Sequence, residues 1–81
     1  MSKTFHLTIA RVGENLFDGE AQAVTLPGEE GVFTVMANHE AFVTPLAPGV
    51  AVVEKADGTK ESFEIQRGIA EVSSNQATVL L

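Results

Sequence analysis

The stretch FHLTIA, residues 5–10, decides the fold: Phe5, Leu7 and Ile9 alternate with His6, Thr8 and Ala10. Successive side chains of an extended strand point to opposite faces. The spacing therefore predicts a strand with one buried apolar face and one exposed face. His6 falls on the exposed face, where it is expected to be solvated. The same alternation recurs in Val24 with Leu26, and in Phe63 with Ile65 against Ser62, Glu64 and Gln66. The tail NQATVLL reads as a last strand. No window holds a sustained 3.6-residue apolar stripe, so helices are not expected. Phe33, Ile65 and Val79 are expected in the core, with Phe63 beside them and Phe42 more exposed.

Turn-forming residues punctuate these runs in RVGEN, FDGE, LPGEEG, LAPG, KADGTK, IQRG and VSSNQA. Asp57-Gly58 is the clearest of them. A type I′ hairpin turn needs positive φ at both central residues, and Asp-Gly tolerates that well. Arg67-Gly68 is expected to mark a tight bend or bulge. Short strands at this spacing in 81 residues predict an all-β fold, a small sandwich or barrel built as one domain over residues 1–81.

Eleven acids against five Lys and Arg give a formal net charge of -6. Such a chain is repelled by phosphate backbones and anionic lipid, and its cations are scattered along the sequence, so nucleic acid and direct lipid insertion are not expected as partners. The start MSKTFHLTIA has no apolar core long enough for a signal peptide, and nowhere do 18 apolar residues run together. The expectation is a soluble, unexported chain. There is no Cys, hence no disulfide and no thiolate metal site.

Residues 28–49, GEEGVFTVMANHEAFVTPLAPG, concentrate the candidate chemistry. His39 beside Glu40 resembles an acid/base pair, but neighbours on an extended segment point apart and no nucleophile motif accompanies them. His39 is therefore read as a structural or contact residue. His6 and His39 lie too far apart in sequence, without ligand spacing, to suggest a metal site. Glu29-Glu30 between Gly28 and Gly31 offers too few oxygens for calcium and lacks the Lys and Ser/Thr of a phosphate loop, so it is read as a solvated turn. No cofactor or metal is expected. The composition is 44% hydrophobic, more than a small interior hides, and part of it is expected on the surface as a docking patch.

The ordered set FHL, LFDGEA, PGEEGVF, NH followed by Thr44, LAPG and the closing GIAEV and TVLL resembles the N-terminal β-sandwich domain of the epsilon subunit of the rotary proton-translocating ATP synthase, from about Phe5 to Leu81. The resemblance implies a sandwich of two sheets and about ten short strands. It implies a non-catalytic central-stalk subunit that docks on the gamma subunit and the ring of c subunits at the cytoplasmic face of the membrane, coupling proton transport to ATP synthesis. By the same resemblance His39 and Thr44, the turn at Glu30 and Gly31, and the loop positions of Arg11 and Val32 face the c ring. Phe42 and Val43 are expected as exposed apolar contacts, on gamma or in a loop. Arg11 and Val32 are not the residue types expected at their positions, and Ala41 and Arg67 stand where the family often has Pro and Gly. Typical members carry a helical hairpin after this domain, associated with inhibition and in some bacteria with ATP. The chain stops where the hairpin would begin, as a domain cut at its boundary or a naturally short subunit, and alone it is expected not to bind ATP. The residues without the resemblance leave open a free-standing β-sandwich module for a peptide or carbohydrate, or a small isomerase-like enzyme using His39.

Overall fold

The computed structural model describes residues 3–81. Among the described residues there are eight strands and no helix: β1 (Phe5–Arg11), β2 (Glu14–Gly28), β3 (Gly31–Met36), β4 (Phe42–Leu46), β5 (Gly49–Lys55), β6 (Lys60–Ile65), β7 (Gly68–Ser73) and β8 (Gln76–Leu80). They form a β-sandwich whose two layers share β2. Residues 14–21 of β2 pair with β1, which pairs in parallel with β8, and antiparallel β7 and β4 follow. Residues 21–28 of β2 pair with β5 and with β3, and β6 closes that layer beside β5. The change of partner falls at a register shift between Ala21 and Ala23, where an extra residue sharpens the twist and turns the strand from one layer to the other.

Eight strands stand close to the ten expected, and the difference lies mainly in β2. FDGE is a strand interior here, with Gly19 opposite Leu7, although its composition suggests a turn. Ladder bonds along β1 hold the segment extended. The Asp57-Gly58 hairpin also differs from the expected form. Only Gly58 has positive φ, at 89°, and its N–H donates to the Lys55 carbonyl at 2.9 Å. With Lys55 N–H bonded to Thr59 O, this is a three-residue loop closed by a left-handed glycine, not a two-residue I′ turn. Asp57 sets it by accepting from both the backbone N–H and the hydroxyl of Thr59, at 2.9 and 2.6 Å, and these bonds hold its carboxyl below the ordinary value. At the β6–β7 bend Arg67 is not among the residues with positive φ, so the position does not require glycine. Gly68 does: a Cβ there would strike the Leu80 carbonyl and come within 2.9 Å of the Leu81 side chain.

Every strand contributes to one core. Phe5, Leu7 and Ile9 are buried as the alternation predicts, against Val24, Leu26, Val35, Leu46, Val53, Ile65, Val72 and Val79. Among the described residues no polar side chain is buried, so the interior rests on apolar contact alone. Phe63 packs partly buried beside the core, as expected, with its ring edge-on to Phe17 at 6.4 Å. Phe33 corrects the expectation: it is half-buried at one end of the sandwich, because its ring continues out of the core into the hairpin beside Gly28.

His6 is exposed yet not merely solvated. Glu20 stands directly across from it on β2 and Asp18 one step along the same face. Its Nε2 lies 2.6 Å from Asp18 Oδ1, its Nδ1 3.3 Å from Glu20 Oε2, and Thr4 Oγ1 donates to Glu20 Oε1 at 2.9 Å. Carboxylates only accept, so both ring nitrogens donate together only in the imidazolium. The bond to Asp18, then that to Glu20, raises the His6 pKa above its ordinary 6.5.

Two outcomes follow from this packing. Ile65→Ala, at a site 1% exposed, lowers stability by about 2–5 kcal/mol, read as a lower urea midpoint at unchanged m. A raised folded pKa means that the His6 clasp stabilises fully below about pH 6.5 and is lost as pH rises through the higher folded value. The melting temperature of the parent therefore falls relative to that of His6→Gln as pH is raised across that window, and parallel curves for the two proteins would show that the clasp contributes nothing.

Candidate functional site

The β2–β3 hairpin and the loop entering β4 face each other across an open groove of about 570 Å³. On the hairpin side, Gly28 pairs with Gly31 across the Glu29-Glu30 turn, and Gly31 takes φ 135°, a conformation natural only to glycine. That puts the Glu30 carboxylate and the Val32 side chain, 73% exposed, on the rim. Opposite, the chain turns at Ala37-Asn38 with Asn38 at φ 65°, which asparagine tolerates, and passes through His39, Glu40 and Ala41 into β4. Backbone bonds tie the two sides together: Glu29 N–H to Pro45 O at 3.1 Å and Ala47 N–H to Pro27 O at 2.8 Å, flanking the Gly28–Leu46 pair.

Aromatic rings make the floor. Phe33 and Phe42 meet edge to face at 5.3 Å, and the His39 ring lies tilted on Phe42 at 5.0 Å. The His39 Nδ1–H donates to the Glu40 backbone carbonyl at 2.8 Å, and Nε2 has no hydrogen-bond partner among the described residues. The Glu40 carboxylate makes no hydrogen bond to the ring among the described residues. Thr44 is half-buried with its hydroxyl donating to Pro45 O at 3.2 Å, and Val43 beside it is 58% exposed.

Seven of the residues singled out in the sequence, Glu30, Gly31, Val32, His39, Phe42, Val43 and Thr44, line this one groove. Phe42 is corrected in character: it is half-buried between Phe33 and His39 and supports the floor instead of standing exposed. Arg11 is not in the groove. It ends β1, holds Glu14 only loosely with Nε to Oε1 at 3.8 Å, and lines a separate cleft with Glu64, Gln66, Arg67 and Leu81. The three-ring cluster was not visible beforehand, because partners on different strands meet only through register. Among the described residues no group of three His, Asp or Glu side chains is placed to hold a metal ion.

Residues 4–81 match the family model described as the ATP synthase delta/epsilon chain β-sandwich domain. The chain belongs to that family. Among its relatives, the ATP synthase epsilon chain of Polaromonas naphthalenivorans is 40% identical over 77 residues, covering 95% of this chain and 56% of that one. The epsilon chain of a Nitratiruptor species is 44% identical over 78 residues, covering 96% and 60%. The chain thus spans a little over half the length of these epsilon-chain relatives. In solved structures, a chain of the Euglena gracilis mitochondrial ATP synthase, determined with OSCP, F1 and c-ring, superposes with a TM-score of 0.89 at 32% identity, over 95% of this chain and 49% of that one. A chain from the central stalk and c-ring of the Tetrahymena thermophila mitochondrial ATP synthase superposes with a TM-score of 0.76 at 12% identity and shows the shared fold.

Within this epsilon-type sandwich the groove depends on Gly28. A Cβ there would lie 2.7 Å from the Gly31 carbonyl oxygen and 3.0 Å from the Phe33 ring. Gly28→Ala therefore pushes Phe33 towards Phe42, lowers stability by about 1–3 kcal/mol and shifts the His39 and Phe42 resonances. Unchanged His39 resonances in a folded variant would show that the hairpin and the β4 loop are not packed as one unit.

Proposed function

We propose that the chain is the sandwich portion of an ATP synthase epsilon chain and acts as a non-catalytic subunit of the central stalk. In this reading it is peripheral to the membrane at its cytoplasmic face and docks on both the gamma subunit and the c ring, so that proton flow and ATP synthesis remain coupled. The observation that carries the reading is the groove: seven residues expected to meet the c ring or another subunit converge on one surface of a sandwich whose relatives are epsilon chains. Its chemistry suits contact. The His39 imidazole, the Glu30 and Glu40 carboxylates and exposed Val32 and Val43 match a polar, cation-bearing loop with an apolar edge. A floor of stacked rings tied by backbone bonds gives the stiffness that a torque-bearing contact needs.

ATP is not part of this reading, since neither hairpin nor loop cradles phosphates. The test is reconstitution of an epsilon-depleted ATP synthase with the chain and its variants, scoring gamma binding and c-ring binding separately. His39→Ala removes one rim hydrogen bond and weakens c-ring binding by about 0.5–1.5 kcal/mol with gamma binding unchanged. Val43→Glu forces a charge into the contact and weakens it by roughly 2 kcal/mol or more. Raising salt from 0.1 M weakens the parent's binding as the carboxylates are screened over about 10 Å or less. If both variants bind the c ring like the parent, the groove is not the contact and the reading fails.

A further inference from the structure

The cleft that holds Arg11 carries a chemistry of its own. The chain has a formal net charge of -6 and only two arginines, and the fold brings both, from the end of β1 and the β6–β7 bend, to line the same cleft. Arg67 has no ion-pair partner among the described residues, and Arg11 meets Glu14 only at 3.8 Å between groups more than half exposed, a contact of little strength. Gln66 adds a neutral amide, and Glu64 a carboxylate that has no ion-pair partner among the described residues. Apolar surface belongs to the site as well: Leu81 lines the cleft wall, and Val12 and Leu80, next in the chain to Arg11 and Leu81, are 99% and 52% exposed. A small free anion has no use for such neighbours, whereas a polypeptide covers them while its carboxylates meet the planar donor forks of the arginines.

We propose that the Arg11–Arg67 cleft is a docking site for an acidic segment of a partner protein, separate from the His39 groove. The inference does not depend on the stalk assignment, because it concerns carboxylate recognition by this surface whatever assembly carries it. It also explains what Glu64 does there: a like charge at the site sets the affinity below what two arginines alone provide, so its removal strengthens binding.

The test is a titration of the chain with hexaglutamate peptide, followed by amide shifts of Arg11, Val12, Arg67, Gly68 and Leu81, with hexaglutamine and inorganic phosphate in parallel. Hexaglutamate is expected to shift these amides together and to bind at least fivefold more weakly for Arg11→Gln or Arg67→Gln. The double variant removes the response, Arg67→Lys restores part of it, and Glu64→Gln tightens binding about threefold. Salt at 0.3 M weakens the parent severalfold. The substituted positions Arg11, Glu64 and Arg67 are exposed, and an unchanged spectrum elsewhere confirms that each variant is folded. The proposal is overturned if hexaglutamate shifts residues outside the cleft instead, if the arginine variants bind like the parent, if Glu64→Gln does not strengthen binding, or if phosphate gives the same shifts at equal affinity.

Discussion

The structure depends on β2 serving both layers. Fifteen residues of straight strand would reach about 50 Å at ~3.3 Å each, well beyond the molecule's longest extent of 34 Å. The strand must therefore turn, and it does so at the Ala21–Ala23 register shift, with Ala21 on the inside. Its first part fixes β1 and through it β8, β7 and β4; its second part fixes β3, β5 and β6. Because the inward side chains of both parts belong to one backbone, a slip of one residue anywhere along it would turn Val24 and Leu26 outward together. The register shift is therefore a condition of the core.

The groove follows from where β2 ends. Gly28 pairs with Leu46 of β4, and bonds from the Glu29 and Ala47 amides on either side close the two layers at that point. The hairpin beyond Gly28 and the loop leading into β4 are held at a fixed separation by the same junction that completes the fold. The apolar core runs into the groove through Phe33 and Phe42, so the groove is an outgrowth of the interior with His39 packed on Phe42.

Much of this was legible in the sequence, for reasons of distance along the chain. Period-two alternation in residues 5–10 located β1 and its buried face, and Gly, Asn and Pro located most turns, because both signals act between near neighbours. FDGE misled because Gly19 and Asp18 carry a turn composition while long-range pairing to β1 keeps them extended. Asp18 also shows what local reading misses in the other direction: with Glu20 it clasps His6 from across the sheet, a contact set by register alone. The groove residues were named from a resemblance; their convergence on one surface, the half-burial of Phe33 and Phe42, and the separate place of Arg11 needed the fold.

The groove and the arginine cleft are joined through the same strands. Gly28 pairs with Leu46, Leu46 with Gly68, and Gly68 packs under Leu80 and Leu81. The groove carries the Glu30 and Glu40 carboxylates, and the cleft carries two guanidinium groups. Partners that recognise surfaces of opposite charge cannot exchange places without setting like charges against each other, which costs more than a lost rim contact. An acidic chain with a cationic cleft thereby gains a polarity. If both surfaces dock as proposed, a misoriented arrangement is opposed by charge before apolar contacts at Val43 or Leu81 can form, so that orientation needs no large interface.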